Sequence, residues 1–435
     1  MIDQHEQTMA PAQRRELQSQ RLRDTCERVY ANVPTYTKKF DEIGITPADV
    51  TSRDDISTLP FTVKDDMRAA YPYGMFAVPL SSIQRVHSSS GTTGQITVVG
   101  YTADDLTRWA QMVARALDAA GANESDIIQI SYGYGLFTGG LGLHDGTQQL
   151  GAIAIPVSGG NTKRQIQILR DFGVTGIAVT PSYALLVAET ARDEGVDLRS
   201  LPIRFGIFGA EPWSENMRAQ LEDSFDIEAF DIYGLSEIMG PGVGFECNQH
   251  NGLHVNEDHF IIEIVDRDTL EPVEDGLYGE VVLTTLTKEG IPLIRYRTRD
   301  ISRIIPGECG CGRTTRRLER ITGRSDDMLI IRGVNVYPTQ IEQVLLDIAE
   351  VAPHYQIILT KSGALDDVEV RVELNDTIDF DEIKSLERIT AKVREAIASA
   401  LAISVKVKLV EPQTIARSEG KAQRVVDLRG EGGSQ

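Results

Sequence analysis

Residues 86–101 read VHSSSGTTGQITVVGY. Seven consecutive serines, threonines and glycines, Ser88 to Gly94, stand between two apolar, β-branched runs. Such a loop offers hydroxyls and backbone N–H groups. Its glycines admit the φ > 0 conformations that turn successive N–H groups toward one anion. It is a candidate phosphate cradle, although the G-x-x-x-x-G-K-[ST] signature is absent because no lysine follows Gly94. Taken alone, the stretch reads equally well as a surface turn.

The surrounding chain sets the frame. Its 435 residues exceed a single typical core, so at least two domains are expected. Composition is that of a soluble globular protein, with 41% hydrophobic and 25% charged residues. A net charge of −20 and the lack of a Lys/Arg-rich block argue against nucleic acid or an anionic membrane as partner. No apolar run is long enough to span a bilayer. The polar start, MIDQHEQTMAPAQRRELQSQ, lacks the apolar stretch of a signal peptide, so a cytoplasmic protein is expected.

Residues 12–33 carry Leu17, Leu22, Cys26, Val29, Tyr30 and Val33 at helical spacing, with Cys26 on the apolar face as a core thiol. From about 100 to 300, short apolar runs alternate with helix-like segments: DIIQISYGYG, VTGIAVT and IRFGIFGAEP each follow one. That pattern predicts βα units and a largely parallel sheet, with the ligand site at the strands' carboxyl ends. FIIEIVD, GEVVLTTL and ISRIIPG then read as antiparallel strands. After GRSDD (323–327), MLIIRG, TQIEQVLLDIAE, QIILTKS, DVEVRVEL, a helix over 381–401 and VKVKLVEP form a compact α+β unit. The expected fold class is α/β. A large N-terminal domain over 1–324 combines mainly parallel sheets, helices and an antiparallel section; a small, mobile α+β domain covers 325–435. The tail GEGGSQ is expected to be disordered.

Four later motifs change the weight of the opening loop. SSSGTTGQ, DIYGLSE (231–237), YRTRD (296–300), GRSDDMLIIRG (323–333) and SEGKAQR (418–424) occur in this order. In order and approximate spacing they resemble the core motifs of the adenylate-forming superfamily of acyl-CoA synthetases, adenylation domains and luciferases. YGYGLFTGG, FGAEPW, GLSEIMGPG and TKEGIPLIRYRTRD look most like the phenylacetate–CoA ligase family. The likeness covers roughly residues 30–430.

That resemblance implies an ATP-dependent aryl-acid CoA ligase that makes an acyl-adenylate, then a thioester. Ser88, Ser89, Ser90, Gly91, Thr92, Thr93 and Gly94 would wrap the β- and γ-phosphates. Gln95 departs from the family, where a lysine commonly follows GTTG. Glu237 would hold Mg²⁺. Asp231 and Tyr233 would meet the adenine, with Gly234 and Ser236 beside them and Gly209, Ala210 and Glu211 along its other face. Asp300 would grip the ribose hydroxyls, whereas without the resemblance YRTRD reads as an exposed, salt-bridged strand. Arg324 would contact the nucleotide and Asp326 would be the hinge. Lys421 would bridge the substrate carboxylate and the α-phosphate, and Gly333 would let the pantetheine arm of CoA approach. Tyr134, Phe137, Ile238, Met239 and Pro241 are candidates for the acyl pocket or for core. A homodimer is compatible with the resemblance.

Four cysteines are too few for a disulfide scaffold. In a reducing compartment the Cys309-Gly-Cys311 pair reads as metal-binding. With Cys247 and a histidine it makes a closed structural zinc set, in which four protein ligands leave no site for catalytic water. His250 and His254 compete for the fourth place, and the resemblance favours His254. The set would staple GLHVNED to the 305–313 loop. Two other readings compete with the ligase: a stand-alone adenylating enzyme serving a carrier protein or amine, and an idle nucleotide-binding zinc scaffold.

Overall fold

The computed structural model describes residues 1–89, 96–331, 334–362, 365–375, 378, 380, 382–401, 403–418 and 422–429. Five parallel strands form one side of a mixed sheet, in the order Glu228–Tyr233, Phe205–Gly209, Gly176–Val179, Ile127–Ile130, Ile153–Pro156, the last at the edge. Gly176–Val179 and Phe205–Gly209 are buried at every position, as expected of parallel strands covered on both faces. Helices lead into them and connect them. Ala103–Ala119 starts at a capping box in which Thr102 and Asp105 exchange hydrogen bonds, and Pro181–Asp193 starts on a proline, which has no N–H to lose. Beyond Glu228–Tyr233 the sheet turns antiparallel through Gly244–Phe245, Leu253–Val255, Arg317–Leu318 and Ile304–Ile305.

A second, antiparallel sheet runs Phe260–Val265, Gly279–Thr285, Tyr296–Ser302, Gly323–Arg324. Here the expected strand ISRIIPG is corrected. The strand starts at Tyr296 and ends at Ser302, and Ile304–Ile305 crosses to the large sheet. The reason is a period of two: Tyr296, Thr298, Asp300 and Ser302 are buried, while Arg297 and Arg299 face Glu280. YRTRD is thus a salt-bridged strand with a buried face as well as an exposed one.

The helix Pro11–Asn32 buries Leu22, Cys26 and Val29 on the first of three apolar clusters. Cys26 is fully buried there, and burial pushes its thiol up to about 12. The third cluster draws its buried members only from Leu329 onward. It fills the space between the helices Pro338–Leu346 and Ile383–Leu401 and a four-stranded sheet. That sheet centres on the hairpin of Val351–Ser362 and Leu365–Leu374, flanked in parallel by Lys406–Val410 and Val425–Asp427. Among the described residues no helix is long and apolar enough to cross a membrane. The tail 430–435 lies outside the described residues.

Candidate active site

The predicted residues gather where two adjacent parallel strands end. Gly209 pairs with Ile232, so the loops after Phe205–Gly209 and Glu228–Tyr233 leave the sheet side by side. Gly209 is required there: a Cβ would lie 2.3 Å from the Ile232 carbonyl oxygen. Ala210 turns the chain with φ +71°, in the left-handed region. Glu211 follows, with Oε1 accepting the Ser182 N–H at 2.8 Å and Oε2 the Ala422 N–H at 3.1 Å.

Asp231 is buried, with Arg320 Nε 3.4 Å from its Oδ2. Burial raises its carboxyl to about 6, against the pull of Arg320. Two positions on, the Tyr233 hydroxyl donates to Asp300 Oδ2 at 2.6 Å. Arg324 Nη1 lies 3.5 Å from Asp300 Oδ1 and grips Asp326 through two 2.9 Å hydrogen bonds. Tyr233, Asp300, Arg324 and Asp326 therefore form one connected chain that ends just before Leu329, where the third apolar cluster starts.

Glu237 anchors the other half of the site. Gly234 and Gly240 approach so closely that a Cβ on Gly234 would sit 2.5 Å from Gly240 Cα, which folds the loop into a tight return. Glu237, within this return, is buried. Thr97 Oγ1 and Lys64 Nζ are each 3.4 Å from Glu237 Oε1. Thr97 also meets Ser89 Oγ at 2.5 Å, and the Ser88 N–H donates to the Leu136 carbonyl, so the described flanks of the loop are tied to Glu237. Ser236 is held by Tyr101 at its carbonyl and by Thr138 at its hydroxyl. Ser90, Gly91, Thr92, Thr93, Gly94 and Gln95, together with Gly333 and Lys421, lie outside the described residues.

Sequence reading missed Lys64, Thr97 and Lys288. Lys288 donates to the Glu237 carbonyl at 2.9 Å and lies over the Tyr101 ring; burial brings its ammonium down to about 7. The signal was present, since Thr97 lies two residues after the SSSGTTGQ motif and Lys288 lies within TKEG. Of the acyl-pocket candidates, Ile238 and Met239 are fully buried in the first core cluster. Tyr134 and Phe137 are half-buried against that cluster, and the Pro241 carbonyl accepts from Trp109 Nε1.

Around the antiparallel strands of the large sheet, Cys247, His254, Cys309 and Cys311 bring one ligand atom each to within 4.8 Å of one another. Cys247 Sγ and Cys309 Sγ are 3.7 Å apart, and Cys311 Sγ is 3.3 Å from His254 Nε2. The other ring nitrogen, Nδ1, meets Thr315 Oγ1 at 3.0 Å. His250 is engaged elsewhere, stacked on Phe230 and bonded to Arg218 and Glu228.

Comparison with known proteins agrees with this architecture. Residues 86–286 match the family model of the AMP-binding enzymes, and residues 333–429 match that of the AMP-binding enzyme C-terminal domain. The chain is 49% identical over 416 residues to the phenylacetate-coenzyme A ligase of Pseudomonas putida, covering 95% of this chain and 94% of that one. A crystal structure of 2-hydroxyisobutyryl-CoA ligase in the postadenylation state, in complex with 2-HIB-AMP, superimposes with a TM-score of 0.92 at 29% identity. It covers 98% of this chain and 91% of that chain. The same ligase with 2-HIB-AMP and CoA in its thioesterification state gives 0.73 at 30% identity, over 98% of this chain and 92% of that chain. Both halves thus carry the signature of the AMP-binding enzymes. Within that class, the chain belongs to the family of the phenylacetate-coenzyme A ligases.

Proposed function

We propose that this chain is an ATP-dependent ligase joining an arylacetic or related aromatic carboxylate to CoA, with phenylacetate as first candidate. The observation that carries this reading is the convergence of Glu237, the flanks of the Ser88–Gly94 loop and the Tyr233–Asp300–Arg324 chain at neighbouring strand ends. Strand ends of this kind are where open α/β sheets take their ligands. High identity to a phenylacetate-coenzyme A ligase supports the same reading.

In the first step the carboxylate oxygen bonds to the α-phosphorus of ATP and pyrophosphate leaves. The loop donors from Ser88 to Gly94 hold the leaving phosphates, Asp300 holds the ribose, and Asp231, Tyr233, Gly234, Ser236 and Gly209–Glu211 frame the adenine. Lys421 balances charge between carboxylate and α-phosphate, and Lys64 supplies a further cation beside Glu237. In the second step the CoA sulfur bonds to the acyl carbon, the acyl–phosphate bond breaks, AMP leaves and the thiol proton is released. Gly333 serves the pantetheine arm, and Tyr134, Phe137 and Pro241 with Ile238 and Met239 behind them shape the acyl pocket. Residues 1–324 and 325–435 act as separate bodies about Asp326. In support, Gly323–Arg324 closes the antiparallel sheet against Asp300–Ile301, and the third core starts only at Leu329.

Two metals fit residues of this chain. The buried Glu237 carboxylate, approached by Lys64 and Thr97 only at 3.4 Å, would hold Mg²⁺, which neutralises phosphate charge when bound. The Cys₃His set would hold a structural zinc. A tetrahedron of Zn–S bonds has an S···S edge of about 3.8 Å, close to the Cys247–Cys309 separation and far from a disulfide bond. The Thr315 contact fixes the His254 ring for it.

The test is AMP release over a panel of phenylacetate, ring-substituted phenylacetates, indoleacetate and benzoates, with and without CoA. CoA-dependent turnover on an arylacetate is expected. Acid-dependent pyrophosphate exchange without thioester formation would instead point to a carrier protein or amine acceptor, and no acid-dependent exchange at all would overturn the ligase reading.

A further inference from the structure

The helix Pro181–Asp193 belongs to the parallel-sheet body, yet two acidic groups tie it to the C-terminal unit. Glu189, one-quarter exposed on this helix, bonds His354 Nε2 through Oε1 at 2.5 Å and Arg417 Nε through Oε2 at 3.2 Å. Arg417 is itself fixed from below. Its guanidinium makes two 2.8 Å hydrogen bonds to Glu373, a fully buried carboxylate that also accepts the Gln413 and Ile415 N–H groups. Burial pushes the Glu189 carboxyl up, but the His354 hydrogen bond and the Arg417 charge outweigh it and hold the group below its ordinary value. At the first turn of the same helix, the Ser182 N–H holds Glu211 Oε1, and Glu211 Oε2 takes the Ala422 N–H. The helix therefore contacts the C-terminal unit at Arg417 and, through Glu211, at Ala422, two residues that flank position 421 in the sequence.

This arrangement is one of two that the ligase reading requires. The chain superimposes on 2-hydroxyisobutyryl-CoA ligase with a TM-score of 0.92 in its postadenylation state and 0.73 in its thioesterification state. The contacts above accordingly belong to the first state. They are hydrogen bonds and ion pairs between polar groups, not shared apolar core, and polar interfaces of this kind form and release repeatedly.

We propose that Glu189 is a positioning residue for acyl-adenylate formation, a latch that pairs with His354 and Arg417 to hold the C-terminal unit in the arrangement of the first step and opens for the thioester step. The proposal rests on the two-step ligase reading given above. Glu189 touches no substrate; it biases the equilibrium between the two arrangements. Removing it weakens only the first, so the two half-reactions move apart.

The test is Glu189→Gln, an isosteric change at a part-exposed position, assayed on each half-reaction in the full-length enzyme. Acid-dependent ATP–pyrophosphate exchange should fall by about fivefold to tenfold, while thioester formation from supplied acyl-adenylate and CoA holds or rises. Glu189→Lys, facing Arg417 with a like charge, should widen the split, and Glu189→Asp should restore part of it. A residue that merely stabilises the fold would lower both half-reactions together, and equal loss, or no change in either, overturns the latch. Hydrogen exchange of residues 411–429 without substrate provides a readout independent of activity. Faster exchange in Glu189→Gln is expected, and unchanged protection overturns the latch. If the wild type shows neither half-reaction on any acid, the ligase reading has failed, and the exchange result still judges the latch.

Discussion

The Tyr233 hydroxyl donates a 2.6 Å hydrogen bond to Asp300 Oδ2 across 67 positions of sequence. It ties the end of a parallel strand to the middle of an antiparallel one and fixes one carboxylate oxygen of Asp300. Tyr233→Phe keeps the ring and removes that tie. A hydrogen bond to a buried charged group is worth about 1.5–3 kcal/mol, so a lower melting temperature is expected. KM for ATP should rise by about tenfold, with a smaller change in kcat, because Asp300 then loses its fixed orientation. A variant that melts and binds ATP like the wild type would show that the contact is absent in solution.

Lys421→Ala should reduce adenylation by about 100-fold or more while leaving thioester formation from supplied acyl-adenylate largely intact. Both half-reactions measured on one preparation decide this, and equal loss in both would contradict separate catalytic arrangements. Gln95→Lys should leave ATP affinity unchanged or tighter. A marked weakening would mean that Gln95 itself contacts the nucleotide.

Freshly purified protein should contain about one zinc per chain. Chelation or Cys309→Ser should lower the melting temperature by about 5 °C or more before it alters turnover at permissive temperature. Metal analysis that finds no zinc refutes the site. Loss of activity without loss of stability would place the cluster in the chemistry instead.

Acid should destabilise the fold in two stages. Burial pushes the His259 imidazole from 6.5 down to about 4. Its folded pKa lies below the unfolded one, so the unfolded chain takes up the proton first. Up to about 3 kcal/mol is therefore lost as pH falls from about 6.5 to 4. Burial pushes the neighbouring Asp258 carboxyl up, but the cations facing it hold it at about 2. At neutral pH, where His259 is uncharged, the bidentate Arg115 carries that effect. Its contribution is lost below pH 4. Melting curves between pH 7 and 5 should fall for the wild type and fall less for His259→Gln; an unchanged slope would exclude His259 as the cause.

Much of this protein is legible along the chain. Alternating apolar runs and amphipathic segments encode the βα order, because strand and helix periodicities are local properties. Five ordered motifs mark the family for the same reason, since each is a short stretch whose residue types its own turn requires. The sequence also names the cysteines of the metal set. Spacing alone leaves the histidine open, and only the family resemblance favours His254. His250 is nearer Cys247 in sequence, yet Arg218 and Glu228 hold it on the other side of Phe230, while the pairing of Leu253–Val255 with Arg317–Leu318 brings His254 to Cys311. The sequence does not place Thr97 and Lys64 on Glu237, bury Ile238 and Met239 in the core, or set Glu189 against Arg417, a contact spanning 228 positions. Those outcomes depend on which strands neighbour one another and which helix covers them. Side-chain contacts between distant segments exist only after the sheets have closed around their cores, so only the tertiary structure could decide them.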